Sequence, residues 1–566
     1  MSVTHSAILA SVVAERLLAV ADDIGHILIR GAFSSNIKER RDCSTAVFDA
    51  KGRLLAQADH MPIHIGSLMW GVRALLARAP TFAPGDAWVM NDPYLAGGTH
   101  LPDISVITPV FVEGEAAFFV GNIAHHADVG GPTPGSVSGR SPDIFSEGIR
   151  IPPIRIARNG EVDDDLVHLL SANTRGATER ALDLKTQVGA NARGAALVAD
   201  IAADHGLAAL TAACDTLIAA TETRLRSAIA ALPDGTTHAL RHLDDDGAGS
   251  DPVPLAVAAT IAGDRLALDF AGSGAEAKGA VNLSRSSLEA TVAYAIKACL
   301  DPTLPANQGL FDAVSIAVPD GTIVSPRPPA AVAARAVTSN RLAGAIFDAL
   351  RPALSPERRM AASNDSTSLV VLKGEDFVFP ESMGGGAGAF ADEDGMDGVH
   401  VHTVNSTNLP IEALEAAYPL RCRTYALGPD TGGAGRQRGG LGLVREIVAL
   451  RDGTALTVRS DGHVFAAPGA DGGGDSATTR ITLVRADGGT RELASKCTAT
   501  LNAGDAVRIE TLGGGGYGPP AERSLTALAA DLADGHITEP AARRAYGSAR
   551  VDAALAYASP VSTAER

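Results

Sequence analysis

Long apolar runs, paired cysteines and basic tracts are all missing from this chain of 566 residues, and each absence removes a class of function. No uninterrupted apolar stretch reaches the roughly 18 residues that a membrane-spanning helix needs, so no membrane partner is expected. The first apolar positions, among them Leu9, Val13, Leu17 and Leu28, are broken by Glu15, Arg16, Asp22 and Asp23, which is the pattern of an amphipathic helix. Cys43, Cys214, Cys299, Cys422 and Cys497 include no C-x-x-C pair. Neither a disulfide framework nor a zinc ribbon is indicated, and a reducing, cytoplasmic setting fits best. With 48 basic against 65 acidic residues the net charge is −17, and without a basic run to neutralise phosphates nucleic acid is excluded as a partner. There is also no G-x-x-x-x-G-K-[ST] loop, and no G-x-G-x-x-G between a strand and a helix, so the chain carries no nucleotide fold of its own.

What is present is an ordinary globular composition, 46% hydrophobic and 20% charged, with 60 glycines and 31 prolines that imply many turns and close backbone approaches. The length predicts several packed units. Residues 1–160 read as an N-terminal α/β region, 161–235 as two or three helices, 236–409 as an α/β middle domain, 410–520 as a β-rich closing layer or barrel, and 521–566 as a helical tail. The fold class is therefore α+β, multi-domain, with a β-rich C-terminal part.

The most informative segment runs over residues 91–131. It gathers His100, Asp103, His125, His126 and Asp128 around two strand-like runs, DISVITPVFV and AAFFVGNIAH, joined by Glu113-Gly114-Glu115. Such runs around a glycine predict an antiparallel hairpin. If Gly114 is near the centre, paired residues have numbers that sum to about 228, which sets Asp103 opposite His125 at the open end, within the ~5 Å that separates cross-strand neighbours. His100 lies one short turn further out. Two imidazoles and one carboxylate suit a divalent zinc, manganese or iron that keeps positions open for solvent and substrate. His126 and Asp128 follow in a glycine-bounded loop and are candidates for moving protons. Pro109 cannot donate to a ladder, which predicts that its strand lies at an edge or a bulge.

Other segments carry weaker signals. Asp59, His60 and His64 form a second cluster, but Pro62 breaks helical spacing between the histidines, so a substrate-pocket role competes evenly with a structural loop. Asp92, delivered by the strand AWVM, is a further substrate-binding candidate. The run Lys38, Glu39, Arg40, Arg41 suits an anionic group or an interface ion pair, with Arg40 the candidate for substrate. Cys43 follows two arginines that could activate a thiolate, or it simply begins a strand as a small apolar residue. Residues 429–442, PDTGGAGRQRGGLG, combine flexible backbone with Arg436 and Arg438 and could cradle an anion. The glycines at 513–516 read as a tight turn.

Taken in order, SSNIKERRDCS, HMPIHIG, NDPYLAGGTHLPD, NIAHHADVGG, NSTNLPIEALEAAYPLR, PDTGGAGRQRGGLG and GGGGYG resemble the hydantoinase B/oxoprolinase family over most of the chain. Gly428 and Pro519-Pro520 depart from the usual pattern, which bears on local contacts there. The resemblance implies a B-type subunit in a hetero-oligomer whose A-type partner binds ATP. It also implies a divalent metal held by a His-x-x-Asp pair and a later histidine, which map to His100, Asp103 and His125. The implied activity is ATP-dependent opening of a cyclic amide such as hydantoin, 5-oxoproline or a lactam, in which phosphorylation turns the amide oxygen into a leaving group. The alternative is the metal-containing subunit of a biotin-independent ketone carboxylase. Subunits of that branch tend to be longer, which favours the hydrolase.

Overall fold

The computed structural model describes residues 3–58, 60–78, 81–249 and 251–558. Asp59 lies outside them. The chain opens with α1 (Val3–Gly31) and a single turn, α2 (Ser35–Lys38), then forms β1 (Cys43–Asp49), β2 (Leu54–Gln57), α3 (Ser67–Ala77), β3 (Ala87–Met90), β4 (Asp103–Val112), β5 (Glu115–His125), β6 (Ile154–Arg158) and β7 (Glu161–Val162). These strands make one sheet in the order β2-β1-β5-β4-β3-β6-β7. Three helices follow: α4 (Asp164–Ala172), α5 (Ala177–His205) and α6 (Leu207–Ala230).

Both faces of this sheet are covered. Val47, Val110, Phe118 and Val120 pack against α1, α5 and α6, while Phe48, Ile107 and Phe119 pack under α3. Burial on two sides explains why β4 and β5 read as continuous apolar runs rather than as an alternating pattern. Pro109 is consequently on an interior strand, and of the two settings that its missing N–H predicts, an edge or a bulge, the bulge is the one found beside it. It is tolerated because β3 pairs only with Ser105–Ile107 and stops short of it, and because a bulge follows at Val110/Phe111.

That bulge decides the register of the hairpin. The turn consists of Glu113 and Gly114 alone, both at positive φ (52° and 88°), so Val112 faces Glu115 and numbers near the turn sum to one less than the sequence suggests. Beyond Val110 an extra residue enters β5, and Asp103 pairs with His125 after all. A bulge-free hairpin with the same turn would set Asp103 opposite Ala124 and turn the His125 side chain to the other face.

The middle unit contains β8 (Gly235–Leu243), β9 (Val253–Ala262), β10 (Arg265–Asp269), α7 (Arg285–Leu300), α8 (Gln308–Asp312), β11 (Val314–Ala317) and α9 (Arg335–Leu350). Its sheet, β11-β10-β9-β8, packs on α7 and α9. Then come β12 (Ser368–Lys373), β13 (Val378–Met383), α10 (Ile411–Ala417), β14 (Leu420–Leu427), β15 (Leu443–Ala449), β16 (Thr454–Arg459), β17 (Arg480–Val484), β18 (Thr490–Glu492), β19 (Lys496–Leu501) and β20 (Ala506–Glu510).

Two sheets, β13-β12-β16-β19 and β14-β15-β20-β17-β18, close over a core that includes Val370, Leu456, Ile447 and Ile509. The β-rich part is thus a pair of facing sheets rather than a closed barrel, and it recruits β12 and β13 from before residue 410. Helices α11 (Leu525–Ala533), α12 (Glu539–Tyr546) and α13 (Ser548–Ala558) form the tail. Among the described residues no single helix is long and apolar enough to cross a membrane.

Candidate metal centre

The open end of the β4–β5 hairpin is held from several directions. Gln187 and Asn191 on α5 donate to the carbonyls of Ile104 and Val106, and both bond Asn122 on β5. Ser284 and Ser286, at the start of α7, donate to the carbonyls of Thr99 and Gly98 and fix the turn that carries His100. Fully bonded amides and hydroxyls of this kind fix a polar interior in one arrangement.

Within that frame His100, Asp103 and His125 each present a ligand atom, all lying within 4.8 Å of one another. Each member has its own orienting contact. His100 donates from Nδ1 to the Ala333 carbonyl (3.0 Å), which leaves the lone pair on Nε2 facing Oδ1 of Asp103 at 3.4 Å. The other carboxylate oxygen, Oδ2, receives Thr99 Oγ1 and the Arg335 guanidinium, and Nε2 of His64 stands 3.4 Å from it. Arg40 donates to Oδ1 of Asn36, and this turns the Asn36 amide N–H towards Nδ1 of His125 at 2.7 Å. Partners of this type hold a metal-binding imidazole in the correct tautomer and orientation.

The electrostatics agree with a cation site. Burial, together with the Arg335 charge, pushes His100 down to about 4, and burial holds His125 well below its ordinary range, so both rings are neutral and free to ligate. Burial on its own would raise Asp103, but His100, Arg335 and His64 hold it far below the usual carboxylate range. Nε2 of His100 and Oδ1 of Asp103 are buried and have no hydrogen-bond partner among the described residues. A buried acceptor left unsatisfied is costly, and a divalent cation between these atoms would remove that cost. The donor set therefore fits zinc, manganese or iron.

The remaining candidates separate clearly. His64 joins the cluster. Arg40 lines the small cavity beside the triad. His60 does not reach it: its ring packs over Gly25 of α1, where an added Cβ would come within 2.6 Å. Asp92 caps a turn through the N–H groups of Tyr94 and Leu95 and pairs with Arg150, so its oxygens are occupied away from the cavity. His126 turns towards α5, with Nε2 3.0 Å from Gln187 Oε1. Asp128 accepts from Gly130 N, Gly135 N and both the N–H and guanidinium of Arg175, which makes it a loop brace with no free lone pair for a passing proton.

Cys43 is wholly buried and its thiol is pushed far up by burial, so it packs as an apolar residue. The glycine loop at 429–442 does not present an anion cradle: the N–H groups of Gly433, Arg436, Gln437, Gly439 and Gly440 donate to carbonyls, those of Arg438 and Leu441 to Asp394 and Asp397, and the Arg438 guanidinium pairs with Asp397 and Asp531. Asn36, Thr99, Arg335 and Arg459 escaped the sequence reading. Arg335 and Arg459 come from distant elements with nothing in their local sequence to mark them, whereas Asn36 and Thr99 stand inside the quoted motifs and could have been found there.

The fold is α+β, and it buries at the end of the β4–β5 hairpin an imidazole–carboxylate cluster that could hold a metal ion. The chain belongs to the hydantoinase B/oxoprolinase family, whose model matches residues 6–520. It is 34% identical over 532 residues to an uncharacterized protein of Methanocaldococcus jannaschii, covering 93% of each chain. It is 32% identical to a Pseudomonas protein assigned as the B-type component of a D-/L-hydantoinase, covering 95% of this chain and 94% of that one. It is 31% identical to 5-oxoprolinase 1 of Arabidopsis thaliana, of which it spans only 41%. Among solved structures, an ATP-dependent caprolactamase from Pseudomonas jessenii superposes with a TM-score of 0.88 at 26% identity, covering 97% of this chain and 99% of that one. An acetone carboxylase shares the fold, with a TM-score of 0.88 at 20% identity over 97% of this chain and 82% of that chain.

Proposed function

We propose that this chain is the B-type subunit of an ATP-dependent cyclic amide hydrolase, and that it opens a ring activated by an ATP-binding A-type partner. The observation that carries this reading is the convergent set of His100, Asp103 and His125, with Nε2 of His100 and Oδ1 of Asp103 unpartnered, beside a second cavity of about 700 Å³ with largely apolar walls. The two cavities share Val404 and Ser406, and Tyr294, Phe347 and Phe390 line the larger one, which suits the carbon skeleton of a small ring. The full-length match to a B-type hydantoinase component and the caprolactamase likeness support the hydrolase branch.

An amide resists water because resonance weakens its carbon as an electrophile, and transfer of a phosphoryl group from ATP to the carbonyl oxygen removes that resonance. Water then adds to the carbon, the C–N bond breaks as the nitrogen takes a proton, and the resulting acyl phosphate is cleaved by a second water to carboxylate and inorganic phosphate. A divalent cation at the triad, when bound, lowers the pKa of a coordinated water towards ~7. The chain's own residues position that chemistry. Asp103 turns Oδ1 to the site because Thr99, Arg335 and His64 occupy the side of Oδ2, and Ala333 fixes the proton of His100 on Nδ1.

The test is metal content and ATP-coupled turnover of the chain with its partner, across hydantoin, 5-oxoproline and small lactams. His100→Ala and His125→Ala should lose both. Full metal and full activity in both variants would sink the assignment. Incorporation of labelled bicarbonate with a ketone, in place of ring opening, would move the chain to the carboxylase branch.

A further inference from the structure

The small cavity beside the triad, about 40 Å³, holds an imbalance of charge that the metal does not explain. Three guanidinium groups line it, those of Arg40, Arg335 and Arg459, against two carboxylates, Asp42 on the wall and Asp103 behind it. Arg335 is committed to Asp103. Arg40 and Arg459 form no ion pair among the described residues, although Glu381 stands near enough to Arg40, and Asp42 to Arg459, for their charges to act on one another. Arg40 is 2% exposed and donates only to Asn36 Oδ1 and the Pro380 carbonyl, while Arg459 is 4% exposed and donates to the Ala333 carbonyl at 3.3 Å. Nε of each has no hydrogen-bond partner among the described residues.

A buried guanidinium without a counter-ion is costly, and other buried arginines here avoid it: Arg341 pairs with Asp365 and Asp461, and Arg523 with Asp394 and Asp531. Burial and the neighbouring Arg335 charge push Arg459 down to about 9, which agrees with a cation short of an anion. A divalent cation at the triad would add two more positive charges. The cavity therefore calls for an anion, and its size suits a small oxyanion, with the ring left to the larger apolar cavity next door.

We infer that Arg40 and Arg459 form a phosphate-binding subsite beside the triad, which takes the phosphoryl group of the activated substrate and, after ring opening, inorganic phosphate. This rests on the hydrolase reading above and sharpens it. Planar guanidinium forks bind phosphate oxygens in pairs, which a lysine could not do from the same positions. The subsite would hold the phosphoryl oxygen and the adjoining carbon next to the triad through both water additions, so that the acyl phosphate stays bound between them.

The experiment titrates the purified full-length chain, stripped of metal by chelation, with inorganic phosphate by calorimetry and thermal shift, and with acetate as the carboxylate arm. One phosphate should bind per chain and raise Tm, acetate should not, and Arg459→Gln and Arg40→Gln should each weaken binding at least ~10-fold. Arg459→Lys, which keeps the charge but loses the fork, should fall between wild type and Arg459→Gln. Equilibrium dialysis with Mn²⁺ on the same variants reports whether the triad is still folded. Wild type that holds metal yet ignores phosphate overturns the subsite and leaves the metal centre standing. Phosphate binding unchanged in both glutamine variants, or acetate binding with the same arginine dependence, overturns it as well. Failure of wild type to hold metal would instead strike the proposed function itself.

Discussion

Two glycine-punctuated regions of this chain look alike as strings and behave in opposite ways in the fold. Around the glycine loop at 429–442 and the run 513–516, backbone packs directly on backbone: a Cβ at Gly514 would come within 1.8 Å of the Ala387 carbonyl, and one at Gly439 within 1.9 Å of the Gly514 carbonyl. Many N–H groups there bond carbonyls across the joint, as when Gly433 donates to Gly514 and Gly514 to Gly440. At the end of the β4–β5 hairpin glycines also approach backbone, a Cβ at Gly98 coming within 2.1 Å of the Asn91 carbonyl, but the side chains they deliver keep buried acceptors open on His100 and Asp103. Satisfied polar groups make a structural joint, and unsatisfied ones mark a place for a ligand.

The contrast would break first at the triad. His100→Ala should cost metal affinity well beyond the ~100-fold that loss of an outer partner brings, while leaving the thermal midpoint of the metal-free chain almost unchanged. Metal analysis and calorimetry on one preparation would show it. The glycine joint should do the reverse. Gly514→Ala drives a methyl into a carbonyl and should destabilise the fold by ~3 kcal/mol or more, read from denaturant unfolding.

A subtler test concerns what supports the triad. Oε1 of Glu147 accepts the N–H groups of Val332 and Ala333, at 2.7 Å each, and so sets the carbonyl that orients His100. Burial raises this carboxyl to about 8. A raised acid favours the fold while it is protonated, so its contribution is complete below about 4.5 and is lost as pH rises through about 8. Stability should therefore fall over that window with a slope of up to ~1.4 kcal/mol per pH unit from this group, and Glu147→Gln should flatten the profile. The smallest effect belongs to Cys43. Cys43→Ala should leave ATP-coupled turnover intact and cost about 1 kcal/mol of stability, because the thiol fills space and attacks nothing.

Much of this architecture was legible from pattern. Helix α1, the helices α4, α5 and α6 between residues 161 and 235, and the hairpin β4–β5 stand where apolar periodicity and turn residues put them. The pairing of Asp103 with His125 was legible for a less secure reason: the turn is centred half a residue earlier than Gly114, and the bulge restores the difference. Bulges have no reliable sequence mark. His126, Asp128, Asp92 and His60 show the other limit, since a polar residue beside a site can point away from it. Which of its neighbours bond it depends on α5, Arg175, Arg150 and α1.

What the sequence determined alone is local and periodic: the type of the elements, a hairpin with an acid and an imidazole at its open end, the absence of a phosphate loop, and the family. What only the tertiary structure decided is which charges find partners. Arg335, Ala333, Asn36 and Arg459 reach the hairpin end from separate parts of the chain. Whether a buried group is satisfied depends on every element packed around it, and a linear pattern carries no account of those neighbours.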